Sequence, residues 1–252
     1  MAAARRAQDV RPGGITSGAR QARGPAVAVA VAVAVQATCG CPPSAGRWLR
    51  HNHPMHDSGP ARHLPAHGYT RERWHNGAGW TRRILRLPAA DDWELSLSIA
   101  DIEQPAAYSH LPAVAREQVL LTGDGLDLVF DDGERAFLEP PHGRIRLDGG
   151  RPVTGVPREG PPVRVFNLMW RPATVTTTLL HRPLVGGMYC FCDVDTAWAI
   201  HLLGGQARVV SRVHAFTLEA GDSAWLAASG RERFLLDGAG EALLVRVEHP
   251  AQ

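Results

Sequence analysis

"VLLTGDGLDLVF", residues 119–130, sets two apolar runs on either side of a Gly-Asp-Gly turn. Short apolar runs with period-two alternation, bounded by Gly and Asp, are strand signals rather than helix signals. The stretch decides the fold because it recurs. "IHLLGGQARVV", residues 200–210, repeats it, with Leu203 standing 82 positions after Leu121. The downstream segments recur too: "RAFLEP" and "RIRLDGG" in the first copy, "HAFTLEAGDSAWL" and "RFLLDGAG" in the second. A strand, a Gly turn, a strand and a further Gly turn thus occur twice, which predicts two β-barrel modules in tandem.

The rest of the chain from about residue 69 has the same texture. "WELSLSIADI", "VRVFNLMW" and "ALLVRVE" are apolar runs separated by Gly, Pro and Asp, and no segment carries a helical stripe over three turns. The expected class is all-β, with a first module over about 69–172 and a second over about 173–252.

The first 54 residues differ. They hold seven Arg and one Asp, leaving 20 basic and 24 acidic residues in the body. That slightly acidic body excludes a basic nucleic-acid footprint. All basic residues are Arg, so Schiff-base and lysine-base chemistry are excluded as well. The Ala/Val run in "GPAVAVAVAVAVQATCGC" is too short to span a bilayer. Its long preceding region and the lack of a clean cleavage site favour a disordered or spurious leader over an export signal. The folded unit is expected from Met55, the leader to be dispensable, and the location to be cytoplasmic without membrane contact.

Cys39-Gly-Cys41 and Cys190-Phe-Cys192 have one intervening residue each, against the two to four usual for structural zinc pairs. Buried or incidental thiols are the expectation. "HNHPMH", residues 51–56, reads as surface histidines for want of a scaffold. No His-x-His follows residue 53, and His110, His142, His181, His201 and His214 stand isolated. Neither a metal centre nor a cofactor is expected, the alternative being that such histidines assemble a site from distant strands. His201, in a strand, reads as a satisfied core or rim residue. There is no Gly-x-Ser-x-Gly elbow, and the Asp pairs at 91–92 and 131–132 sit in turn-like contexts.

"YTRERWHNGAGWTRRILRL", residues 69–87, could be taken for a phosphate loop. Such a loop needs a helix opening behind it. Here strand-like residues come next, so Asn76-Gly77 reads as a hairpin turn.

Several of these stretches together resemble the HutD/Ves family. They are Trp74 to Arg82 ("WHNGAGWTR"), "WELSLSIADI", "YSHLPAVAR", "LLTGDG" and Phe166 to Met169 ("FNLM"), over about residues 69–248. The resemblance implies a bicupin, that is, tandem double-stranded β-helix (cupin-like) barrels, associated with histidine utilisation. Departures are His75 for the family's Lys, Ala78 and Ala113 for Gly, and two extra residues that leave Ser96 and Ser98 both open for one Ser position.

A barrel mouth with aromatic walls and a few polar groups is a usual small-ligand site. Trp74, His75, Asn76, Ser98, Arg116 and Asn167 supply that inventory. Arg116 can grip a carboxylate bidentately, and Asn167 can donate and accept. The bland alternatives are that Trp74 and Trp80 cover a barrel end, Asn76 only forms a turn, and Arg116 pairs with Asp101 or Glu117. The expected function is binding of a small acidic metabolite, formylglutamate- or urocanate-like, modulating histidine catabolism without clear catalysis. His75 in place of Lys predicts affinity that rises as pH falls, since His titrates near neutrality. The rival is an isomerase or hydrolase with His75 as acid/base. A third reading is an interaction module that assembles through its β edges, for instance as a homodimer, with no response to ligand.

Overall fold

A computed structural model describes residues 61–249; the leader and the "HNHPMH" and Cys39-Cys41 motifs lie outside the described residues. In chain order the strands are β1 (Ala61–Leu64), β2 (Thr70–Arg73), β3 (Gly79–Leu87), β4 (Leu95–Ile102) and β5 (Ala106–Ala107). Then come β6 (Ala115–Thr122), β7 (Leu126–Phe130), β8 (Arg135–Leu138), β9 (Arg144–Asp148), β10 (Val153–Pro157) and β11 (Val163–Trp170). The C-terminal part holds β12 (Thr176–Cys192), β13 (Thr196–Val210), β14 (Ala215–Glu219), β15 (Ser223–Leu226) and β16 (Glu232–Glu248). Apart from a short 3-10 turn at Ala66–Gly68, every described element is a strand.

Three antiparallel sheets result. One runs β2-β3-β4-β11-β6-β9, a second β5-β10-β7-β8, and a third β1-β15-β13-β16-β12 with β14 on β13. Alternation in β4 and β11 explains why the first sheet has two different faces. Leu95, Leu97, Ile99, Phe166, Leu168 and Trp170 point one way and pack against Leu179, Trp225, Leu243 and Val245 of the third sheet. A fully buried side chain of this size contributes about 1.5–3 kcal/mol, so this apolar layer is a large share of the fold's stability. Ile102, Val163 and Val165 pack instead on Leu126, Leu128 and Phe130 of the second sheet.

β12 and β16 have 17 residues each and β13 has 15, well beyond the usual strand length of about 5–6. They bend at glycines: Gly205 (φ 82°) is opposite Gly240 (φ 141°), and a Cβ on Gly240 would run into the Gly204 carbonyl. At one end they pair in the order β12-β16-β13-β15, as β4-β11-β6-β9 do. Beyond the bend the order β12-β16-β13-β14 matches β5-β10-β7-β8. The duplicated sequence around 119–130 and 200–210 therefore coincides with a duplicated pairing pattern.

The sequence gives no β signal before Tyr69, but β1 pairs antiparallel with β15, Ala61 opposite Leu226 and Leu64 opposite Ser223. Four residues are too few to show a period. The edge of β15, not the sequence of β1, makes this a strand. Behind it, the Asp222 carboxylate accepts from the Ala66 N–H at 2.8 Å and meets His63 Nε2 at 2.9 Å. Burial alone would raise that carboxyl, but these two partners and the Glu219 N–H hold it below its ordinary value.

Ala113, exposed, has φ 60°, a left-handed conformation that an L side chain resists. The strain is about 1–2 kcal/mol, partly offset because Gly gains roughly 0.4–1 kcal/mol of freedom in the unfolded chain. Ala113→Gly should therefore raise stability by about 0.5–1 kcal/mol. A urea midpoint that does not move, or moves down, would refute this.

Candidate functional site

The segment 74–78 is a hairpin loop. The Trp74 N–H donates to the Gly79 carbonyl at 3.0 Å, and the Gly77 N–H to the Trp74 carbonyl at 2.9 Å. Gly77 has φ 71°, and the Asn76 side-chain oxygen accepts from the Ala78 N–H at 3.0 Å. Asn76 thus has the turn role, while Arg73 donates to the Gly77 carbonyl and clamps the loop from outside. Trp80 does not reach inward; Arg71 and Arg73 cover its ring at 3.9 and 4.9 Å.

The first sheet turns a polar face away from the third. Cross-strand registers place Arg83, Ser98, Asn167 and Gln118 in one row over β3, β4, β11 and β6. Arg86, Ser96, Met169 and Arg116 form the next row. These residues floor a cavity of about 500 Å³, a size suited to a small organic ligand. Trp74, His75 and Asn76 line it from the hairpin and Tyr108 from the β5–β6 connection. All six residues singled out in the sequence, Trp74, His75, Asn76, Ser98, Arg116 and Asn167, line this one cavity. Ser96 and Ser98 both do so.

Four arginines line the cavity, Arg73, Arg83, Arg86 and Arg116, and the lining carboxylate, Glu72, pairs with Arg83. Asp101 is held by Arg82 and Arg164, each at 2.7 Å, and Glu117, reached by Arg144 at 3.3 Å, does not line the cavity. The two alternative partners of Arg116 are therefore otherwise engaged. Arg116 is 6 % exposed, makes no ion pair among the described residues, and its Nε has no acceptor. Its guanidinium lies 4.9 Å from the Tyr108 ring centre. Burial lowers the Arg116 pKa, only partly opposed by Tyr108. Burial likewise pushes the Tyr108 phenol up to about 12, although its hydroxyl donates to the Gln118 side-chain oxygen at 3.2 Å. Ser98 Oγ and Asn167 Oδ1 are also buried without a partner. Buried polar atoms are nearly always satisfied, so three unsatisfied ones on residues of a single cavity are unusual.

Sequence reasoning missed Arg86, Tyr108 and Gln118. Arg86 is the informative case. The β3 register shifts between Arg83 and Leu85, and this irregularity returns Arg86 to the face that Arg83 occupies. Strict alternation puts it on the other side. Burial and the neighbouring Arg83 lower its pKa, and its Nε also has no partner.

Cys190 and Cys192 are buried, unpaired thiols pushed up to about 12 by burial, so they are poor metal ligands in this state. His201 is a buried core residue stacked on Phe166 with ring centres 5.5 Å apart. His142 and His181, isolated along the chain, come together with Glu241, their ligand atoms all within 4.8 Å. Sequence separation hid the group, because its members come from a turn and two strands. No helix of the described residues is long and apolar enough to cross a membrane.

The family model described as HutD matches residues 66–244. An uncharacterized 21.2 kDa protein in the hutC 3' region of Pseudomonas putida is 33% identical over 111 residues, covering 43% of this chain and 57% of that protein. Protein Ves of Cronobacter sakazakii is 33% identical over 98 residues, 39% of this chain and 54% of its own length. The chain thus aligns with little more than half the length of either curated relative. The structure of HutD from Pseudomonas fluorescens SBW25 superposes with a TM-score of 0.65 at 23% identity, over 76% of this chain and 100% of that one. The all-β fold is cupin-like.

Proposed function

Because the chain belongs to the HutD family, we propose that it is a bicupin that binds a small acidic metabolite in the cavity of its first module and modulates histidine catabolism without transforming the ligand. The observation that carries this is Arg116, a buried guanidinium with no carboxylate of its own among the described residues. A ligand carboxylate supplies the missing partner in a bidentate, charge-assisted pair. Asn167 and Ser98 orient the polar body, Arg86 adds a second positive charge, and Trp74 walls the mouth. The bicupin reading is supported by the repeated pairing order and the twofold echo in the sequence. The link to histidine catabolism is supported by the relative named for the hutC 3' region.

Calorimetric titration of formylglutamate, urocanate and glutamate at pH 6 and pH 8 tests the proposal, with mass spectrometry of the recovered ligand. One of the three should bind with a single site and come back unchanged. If none binds at either pH, the assignment fails; if the ligand is converted, the protein is an enzyme.

A further inference from the structure

Outside the cavity, the turn between β8 and β9 brings His142 against His181 of β12 and Glu241 of β16. None of the three lines the cavity. Glu241 reaches both rings, His181 Nε2 at 2.7 Å and His142 Nε2 at 3.3 Å. The imidazoles meet edge to face with centres 4.6 Å apart.

His142 Nδ1 lies 3.1 Å from the Leu120 carbonyl oxygen. A carbonyl only accepts, so Nδ1 donates a proton there, and the ring is fixed with Nε2 directed at the Glu241 carboxylate. Across that 3.3 Å gap a metal ion, or a proton on Nε2, joins the ring to the carboxylate. Fixing one ring nitrogen on a backbone carbonyl is also how metal-binding histidines are oriented. His142 moreover holds φ 55°, a left-handed conformation. Such strain tends to persist where a side chain must be aimed.

We propose that His142, His181 and Glu241 form a binding site for a divalent transition ion, with zinc-like preference, that ties the 139–143 turn to β12 and β16. Two imidazoles and one carboxylate suit zinc or a similar borderline ion, with the remaining positions filled by water. At bond lengths of about 2.0–2.1 Å, ligand atoms around a tetrahedral ion are roughly 3.4 Å apart. The His142–Glu241 separation of 3.3 Å already matches, and ligand atoms within 4.8 Å need only small side-chain rotations to close.

Cobalt(II) is the probe, because its spectrum identifies the ligands. The full chain is stripped with chelator, dialysed and titrated with Co²⁺, then with Zn²⁺ in competition. One equivalent should bind with visible d–d bands and without near-ultraviolet thiolate-to-cobalt charge transfer, and Zn²⁺ should displace it. His181→Gln and Glu241→Gln, both at partly exposed positions, should each weaken binding at least tenfold. Three results would overturn the proposal: no cobalt bound, a thiolate spectrum, or equal binding by wild type and the His142→Gln/His181→Gln double variant. The last would leave the trio as a hydrogen-bonded ion pair with protonated histidine.

Discussion

Arg116→Met should stabilise the ligand-free protein by about 1–3 kcal/mol while removing most of its affinity for a small carboxylate. The two effects have one origin. A buried ion without a good partner costs several kcal/mol even after relaxation, and replacing such groups with apolar residues of similar volume is often stabilising. Arg116 is 6 % exposed, has no ion-pair partner among the described residues, and is compensated chiefly by the face of Tyr108. Met fills a similar space and adapts its shape to the gap. On the ligand side, removing one member of a buried charge-assisted pair costs roughly 2–5 kcal/mol, or about thirtyfold to several thousandfold in Kd. Urea unfolding of both proteins, with calorimetry on the ligand that binds wild type, reads both quantities. A destabilised variant that binds as tightly as wild type would make Arg116 a packing residue rather than an anion anchor.

Burial patterns were legible because they are local. Leu95, Leu97 and Ile99 alternate with Ser96 and Ser98, and the alternation alone separates a core face from a polar face. The Gly-Asp-Gly turn at 123–125 separates β6 from β7, and the echo of this stretch gave the duplication. The six cavity residues were reached partly through the family resemblance, which aligned a hairpin, a strand and the "FNLM" segment that composition cannot bring together. Features that depend on register or on distant partners were not legible. The irregularity after Arg83 changes the side on which Arg86 emerges, and no residue type marks it. β1 is a strand because β15 offers it an edge. His142, His181 and Glu241 are far apart along the chain and converge only when β12 and β16 pair.

Stability should fall by about 3 kcal/mol more than other groups account for as pH drops from 6.5 to 4, and His201 is the cause. This histidine is 4 % exposed, stacked on Phe166, with Nδ1 3.0 Å from the Ser223 hydroxyl oxygen. Burial pushes its pKa down to about 4, only partly opposed by Asp222. In the unfolded chain His titrates near 6.5. Between these values the unfolded state binds a proton that the folded state refuses, so the native state loses about 1.4 kcal/mol per pH unit as the solution is acidified. Above pH 6.5 both states are neutral and the contribution is constant. Asp222 acts in a separate window. Its carboxyl is held below the ordinary carboxylate range, so what it contributes is present above that range and lost only as pH falls below about 4. Urea unfolding of wild type and His201→Gln at pH 7, 6, 5 and 4.5 isolates the histidine, because groups common to both proteins cancel in the difference. The variant starts less stable at pH 7, where it has lost a fitted core side chain, and the gap should close steadily toward pH 4.5. Parallel stability curves would mean that His201 takes up its proton in the folded protein as readily as in the unfolded one. The core around Phe166 and Ser223 would then have to admit water or charge, contrary to its close packing.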